Sequence, residues 1–206
     1  MNFNFNYKYQ DCDLNWGSLA GELSLWWLTD KTNFIAPNPF IHILYQYKDK
    51  INDIDKIESF IETGTNIGQT SKIFSNHVNQ VYTIELDVDE EREKLYIDIK
   101  NQCPNIEYIT GDSVNNLNKI LNDSPNTRFI FLLDAHGHQY SPLKDELISI
   151  KKCSNINNHV IIIDDGIDFG SVGWPTENEI KELILNINPD YNIINTKIAR
   201  DIYIIY

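Results

Sequence analysis

Three carboxylates and two imidazoles carry the strongest chemical signal in this sequence. Asp134 ends the apolar run FIFLL, Asp164 and Asp165 end the run VIII, and His136 and His138 follow Asp134 at two-residue spacing. Carboxylates gathered without an adjacent Lys or Arg make one another harder to ionise. A hard divalent cation relieves that conflict, and an all-oxygen donor set suits magnesium, calcium or manganese. Asp134, Asp164 and Asp165 are therefore candidate metal ligands. The alternative is that Asp164 or Asp165 caps a loop and binds no metal. A neutral imidazole is the natural base near pH 7. His136 is the candidate base, with Asp134 as the other acceptor, and His138 is a second candidate. The His-x-His spacing could instead ligate zinc or iron. His42 and His77 lie away from strand ends and His159 begins a strand, so these three read as structural.

A second constellation lies nearer the N-terminus, in Glu62-Thr63-Gly64-Thr65-Asn66-Ile67-Gly68-Gln69-Thr70-Ser71. Gly64 permits a tight turn and a close approach of ligand to backbone. Gly68 allows close packing of helix on sheet. The spacing is GxxxG, which departs from the GxGxxG of dinucleotide binders. Glu62 would repel a pyrophosphate but suits a cationic ligand with an amino group. Glu85, about 20 residues further on, can accept from both hydroxyls of a ribose. In Gly111-Asp112-Ser113, Asp112 can accept from an adenine amino group, and Asp112 or Ser113 can cap a following helix.

These residues all follow short apolar runs, and the runs define the elements that must hold them. Strands are expected at 57–62, 81–85, 106–110, 129–134 and 159–164. Helical patterns follow each at 67–77, 89–101, 114–121, 142–153 and 177–187. Two final strands, 191–196 and 201–206, have only a short connection between them and should pair antiparallel. Strands alternating with helices imply an α/β fold, a mostly parallel sheet of about seven strands covered on both faces. FIFLL and VIII are apolar without alternation, as strands buried on both faces are. Ligands of such sheets sit beyond the carboxyl ends of the strands, where the strand order reverses. Residues 1–50 differ: they are aromatic and irregular, with Trp16, Trp26, Trp27, Phe34, Phe40, Tyr45 and Tyr47. GSLAGELSLWWLTD reads as a short helix and IAPNPF as a turn. This segment forms a helical cap or a wall of a substrate pocket over the 51–206 catalytic domain.

Composition narrows the partners. The 206 residues carry a net charge of -13, which repels phosphate backbones and anionic lipid surfaces. Nucleic acid and membrane are not expected partners. No segment reaches the ~20 apolar residues of a membrane span, and the N-terminus lacks a signal-peptide pattern. Cys12, Cys103 and Cys153 form no CxxC pair, which fits a reducing, cytoplasmic compartment. The N-terminal aromatics could also serve a homodimer contact.

Beyond this reading, the sequence resembles the class I S-adenosylmethionine-dependent methyltransferases from about residue 58 to 206. ETGTNIGQTS is similar to their first motif, VYTIELD to the acidic second and ITGDS to the third. LDAH, PLKDEL and IDD are similar to a narrower group of small glycan and natural-product O-methyltransferases. The resemblance implies a Rossmann-like fold and S-adenosylmethionine as cofactor. Its binding set would be Glu62, Thr63, Gly64, Gly68, Thr70, Ser71, Glu85, Asp112, Ser113 and Asp134. It also implies a metal site in the manner of catechol-type O-methyltransferases, and a sugar or nucleotide-sugar hydroxyl as acceptor. The stretch Gly137-His138-Gln139-Tyr140 is shorter than the family's loop, so acceptor contacts do not carry over. Metal-free N- or O-transfer, an inactive methyltransferase-like binding module and a nicotinamide oxidoreductase are the competing readings.

Overall fold

A computed structural model of the chain describes residues 38–137 and 140–206. The expected helix at 17–30, the aromatics Trp16, Trp26, Trp27 and Phe34, and His138 with Gln139 lie outside the described residues. The described chain opens with helix α1 (Pro39–Tyr47), which was not expected and whose first two residues fall in the expected turn IAPNPF. Asn38 caps it by accepting from the backbone N–H groups of Phe40 and Ile41, and Pro39 fits the first helical position, where no N–H is needed. The sequence signal was present, because NP followed by apolar residues at helical spacing is a start signal as well as a turn signal.

The strands are β1 (Ser59–Thr63), β2 (Gln80–Glu85), β3 (Ile106–Thr110), β4 (Phe129–Leu133), β5 (Val160–Ile163), β6 (Ile193–Asn195) and β7 (Tyr203–Ile205). The helices between them are α2 (Gln69–Phe74), α3 (Glu90–Gln102), α4 (Ser113–Asp123), α5 (Leu143–Cys153) and α6 (Glu177–Ile187). All seven strands form one sheet in the order β3-β2-β1-β4-β5-β7-β6. The first five are parallel, and β7 runs antiparallel to both β5 and β6. The short link between β6 and β7 forces that reversal, since a parallel crossover needs a dozen residues or more. The architecture is the doubly wound, mostly parallel sheet that the alternation of elements implied.

Each central strand feeds two cores, because successive side chains point to opposite faces. Ile61, Phe131, Leu133, Ile161 and Ile163 pack under Leu117, Leu147, Ile150, Ile180 and Ile184 of α4, α5 and α6. Phe60, Ile130, Leu132, Val160 and Ile162 pack under Ile43, Leu44, Phe74 and Ile99 of α1, α2 and α3. The Phe60 and Phe74 rings stack at 3.8 Å between centroids. β4 and β5 are buried at every position, five residues and four, and each of these apolar side chains contributes roughly 1.5–3 kcal/mol before the entropic cost of ordering the chain. α2 is shorter than expected because Asn66 and Gly68 both take left-handed backbone and delay its start. Among the described residues no helix is long and apolar enough to cross a membrane.

Strand order reverses between β1 and β4, and the two strand ends lie side by side, Thr63 opposite Leu133. Gly64 is what lets the two following loops meet. Its φ is +86°, and a Cβ there would lie 2.5 Å from the Asp134 carbonyl oxygen. A crevice therefore opens above this point, as strand-order reversal requires.

Candidate functional site

A cleft of about 380 Å³ occupies the crevice. Gly64, Asn66, Glu85, Leu86 and Arg92 line one side; Asp112 and Ser113 line the back; Asp134, Ala135, His136, Gly137, Tyr140 and Pro142 line the other. Every contributing loop follows the carboxyl end of a parallel strand.

On the β1–β3 side the hydrogen bonds to the carboxylates come from neutral donors. Glu85 accepts from the backbone N–H of Asn66 at 2.8 Å and of Leu86 at 3.2 Å. Arg92 stands 3.8 Å from the same carboxylate and also pairs with Asp89. Glu85 thus faces the cleft already oriented, with lone pairs left for ligand hydroxyls. Asp112 caps α4 by accepting from the Asn115 N–H at 2.8 Å, and it also lines the cleft. Ser113, beside it, is nearly buried.

Glu62 stands behind this wall. It is buried and accepts from Ser71 Oγ at 2.5 Å and Thr83 Oγ1 at 2.7 Å. Burial pushes its pKa up to about 7, against the pull of those two hydroxyls. Thr70 Oγ1 faces the other way and accepts from Asn38 of the α1 cap at 3.1 Å. Gly68 packs beneath the Tyr108 hydroxyl. Of the ten residues expected to bind cofactor, Gly64, Glu85, Asp112, Ser113 and Asp134 line the cleft. Glu62, Thr63, Gly68, Thr70 and Ser71 are not among the residues that line it.

The β4–β5 side is built differently. A donor atom from each of Asp134, His136 and Asp165 lies within 4.8 Å of the others. His136 Nε2 is 3.0 Å from Asp165 Oδ2, and Arg200 Nε is 2.5 Å from Asp165 Oδ1. Asp164 is turned aside: its Oδ1 accepts from the Asp165 N–H at 2.8 Å. Among the described residues none donates a hydrogen bond to the Asp134 carboxylate, although the group is deeply placed. Burial and then the charges of Asp164 and Asp165 hold its pKa well above the usual range. His136 moves the opposite way from a buried imidazole. Its hydrogen bond to Asp165 raises its pKa, and burial opposes that rise. An unpartnered carboxylate beside a second carboxylate and an imidazole is a donor set that a hard divalent cation fits. The residues present would hold such an ion through Asp134 and Asp165, with His136 beside it.

Several residues at the site carry no strong sequence signal. Arg200 lies in the link between β6 and β7, read only as a turn. Trp174 lies beyond the 3-10 turn Gly166–Asp168, and its ring centroid is 5.6 Å from that of His136. Glu146 of α5 was visible only as part of PLKDEL. It is fully buried facing Thr63 and Ser113, with neither hydroxyl in hydrogen-bonding geometry to its oxygens, and burial pushes its pKa up to about 7. His159, read as structural, is buried between the Phe129 N–H, which donates to Nδ1 at 3.2 Å, and Ser154 Oγ at 2.9 Å from Nε2.

No family model matches the sequence, and no curated protein does. Solved structures do match. An O-methyltransferase from Bacillus cereus in complex with S-adenosylhomocysteine is similar at TM-score 0.60 and 15% identity, over 96% of this chain and 92% of that one. A Staphylococcus aureus protein provisionally named a caffeoyl-CoA O-methyltransferase is similar at TM-score 0.57 and 16% identity, over 94% and 92% of the two chains. A Podospora anserina methyltransferase bound to S-adenosylhomocysteine is similar at TM-score 0.53 and 11% identity, over 95% and 97%. With its sheet order, its reversed β7 and its cleft at the β1–β4 reversal, this chain has the fold of the class I S-adenosylmethionine-dependent methyltransferases, in the form shared with O-methyltransferases.

Proposed function

We propose that the protein is an S-adenosylmethionine-dependent O-methyltransferase, assisted by a divalent metal, that acts on a small hydroxylated acceptor. One observation carries the reading: a single cleft is lined by Glu85 and Asp112 and, across from Glu85, by Asp134 and His136, whose donor atoms lie within 4.8 Å of one from Asp165. The first wall suits a nucleoside, and the second suits a metal and a proton acceptor.

When bound, S-adenosylmethionine supplies an activated methyl group and the divalent ion supplies Lewis acidity toward an acceptor oxygen. The protein's residues do the rest by orientation and proton handling. Glu85, fixed by two backbone N–H groups, accepts from ribose hydroxyls. Asp112 accepts from the adenine amino group while it caps α4. Glu62, behind Gly64, places negative potential near the amino end of the cofactor. Asp134 and Asp165 would hold the metal. His136 takes the acceptor's proton, and the Asp165 carboxylate makes its imidazole a stronger base. The concentration of carboxylates around the cleft also favours a cationic sulfonium over its neutral product, which aids turnover.

The acceptor is a sugar or nucleotide-sugar hydroxyl in the reading that the sequence resemblance supports. The Trp174 ring lies 5.6 Å from the His136 ring, and a flat aromatic neighbour to the proposed base equally favours a planar phenolic acceptor. The test is methyl transfer from labelled S-adenosylmethionine to two panels, nucleotide sugars and catechol-type phenols, with magnesium and with EDTA. Transfer that requires magnesium is expected in one panel, and the responding panel names the acceptor class. Transfer that proceeds at full rate in EDTA would remove the metal from the proposal. An absence of S-adenosylhomocysteine binding by calorimetry would overturn the proposal as a whole.

A further inference from the structure

We propose that Arg200 is a resident counter-cation of the acidic centre, competing with the metal for Asp165 and so setting the affinity with which the ion is held. The inference rests on the metal reading above and concerns a residue outside the ligand set.

The hairpin that carries Arg200 is docked, by its backbone, onto the loop that carries Asp165. The Ile167 N–H donates to the Arg200 carbonyl at 3.1 Å. Gly166 lies so close to the Asp201 carbonyl and the Tyr203 ring that no Cβ would fit there. Lys197, Ala199 and Asp201 all take left-handed backbone, with φ of 59°, 50° and 62°. This is a conformation that non-glycine residues keep only where surrounding contacts hold it. The effect is to turn Arg200 back toward β5.

The guanidinium then meets two carboxylates. Its Nε is 2.5 Å from Asp165 Oδ1 and its Nη2 is 2.5 Å from Asp168 Oδ2. The charge of Asp165, a proposed ligand, is thereby already balanced by Arg200, whereas the charge of Asp134 is not. A cation entering between them must take Asp165 from the guanidinium. Asp168 makes that exchange feasible: it is partly exposed, and it keeps a partner for Arg200 when Asp165 turns to a metal. The Arg200 side chain is itself half exposed, so release needs no repacking of the core. Its two carboxylate partners also leave Arg200 with little charge to offer an anionic acceptor, which argues for the competing role over an anion clamp.

The probe is Mn²⁺, with its free concentration read from the EPR signal during titration of the full chain. S-adenosylhomocysteine affinity, by calorimetry, checks the fold of each variant. Arg200→Gln is expected to tighten Mn²⁺ binding about tenfold, near the lower end of what one unit charge at contact distance does in a partly solvated site. Lys197→Gln removes a positive charge from the same hairpin without touching Asp165 and is expected to leave Mn²⁺ affinity unchanged. If Arg200→Gln loses S-adenosylhomocysteine binding, Arg200→Lys serves in its place: it keeps the charge, cannot fork between both carboxylates, and should tighten Mn²⁺ a few-fold. Equal or weaker Mn²⁺ binding by the folded Arg200 variant overturns the competition and leaves the metal reading intact. Equal tightening by Lys197→Gln overturns it too, because the effect would then be a general field. No Mn²⁺ binding by either wild type or Arg200→Gln, with S-adenosylhomocysteine still bound, sinks the metal reading and this inference together.

Discussion

The two walls of the cleft handle negative charge in opposite ways. On the β1–β3 side, Glu85 is held by the N–H groups of Asn66 and Leu86, and Glu62 by the hydroxyls of Ser71 and Thr83. Neutral donors make the hydrogen bonds that fix these carboxylates, with Arg92 standing 3.8 Å from Glu85, and Glu85 keeps lone pairs for a ligand rich in hydroxyl and amino groups. On the β4–β5 side, Asp165 meets His136 and Arg200, while Asp134 has Asp164 and Asp165 as its charged neighbours. There the local electrostatics turn on cations. The lesson is that one sheet edge can present carboxylates for two tasks. Polar neutral neighbours preorganise a carboxylate to recognise; charged neighbours leave it responsive to an ion or a proton.

The largest expected effect tests the second wall. Asp134→Asn should lower kcat by about 100-fold or more, since it removes a ligand oxygen charge from the metal group. S-adenosylhomocysteine affinity, measured by calorimetry, should change far less. A parallel collapse of cofactor binding would show that the two walls are not separable. A smaller effect tests the first wall. Glu85→Ala should weaken S-adenosylhomocysteine by about ten- to a hundredfold, the value of charge-assisted hydrogen bonds to the ribose, while the dependence of residual turnover on magnesium is preserved. Loss of magnesium dependence in that variant would break the division.

The smallest effect concerns the support behind the first wall and is read in stability. Glu62 has a folded pKa of about 7, raised from 4.5 by burial. The folded state therefore binds the proton more tightly than the unfolded chain. Its contribution is fully present below pH 4.5 and is lost as pH rises through about 7. Wild-type Tm should fall between pH 5 and pH 8, and Glu62→Gln, which stays neutral, should flatten that fall. The difference amounts to about 3 kcal/mol at most, at 1.36 kcal/mol per pKa unit. Parallel Tm profiles for the two proteins would mean that Glu62 is already ionised in the folded state.

Much of the fold was readable because its signals are local. FIFLL and VIII announce strands buried on both faces, and each lies where expected, ending in Asp134 and in Asp164-Asp165. The antiparallel β7 followed from the short link before it. The helix Pro39–Tyr47 was missed because APNP carries turn and helix-start signals at once, and only packing of Phe40, Ile43 and Leu44 against the sheet decides between them. Glu85, Asp112 and His136 were legible as candidates because each follows a strand end, and all three line the cleft. Glu62 and Thr70 were expected among cofactor ligands from their motif, and neither lines the cleft; Ser71 and Thr83 engage Glu62, and Asn38 engages Thr70. Sequence order ranks residues along the chain and carries no account of which carboxylate oxygen faces which donor.

The sequence by itself determined the class of sheet, the position of the crevice and the acidic character of its rim. Those follow from periodicity, loop length and residue type, which are properties of neighbours in the chain. The tertiary structure alone decided that Asp134, His136 and Asp165 form the close group while Asp164 turns to its neighbour's N–H. It also decided that Arg200, 35 positions beyond Asp165, holds that carboxylate. Such pairings are set by how β7 docks against β5 and how tightly Gly166 admits the hairpin, and distance along the chain does not encode them.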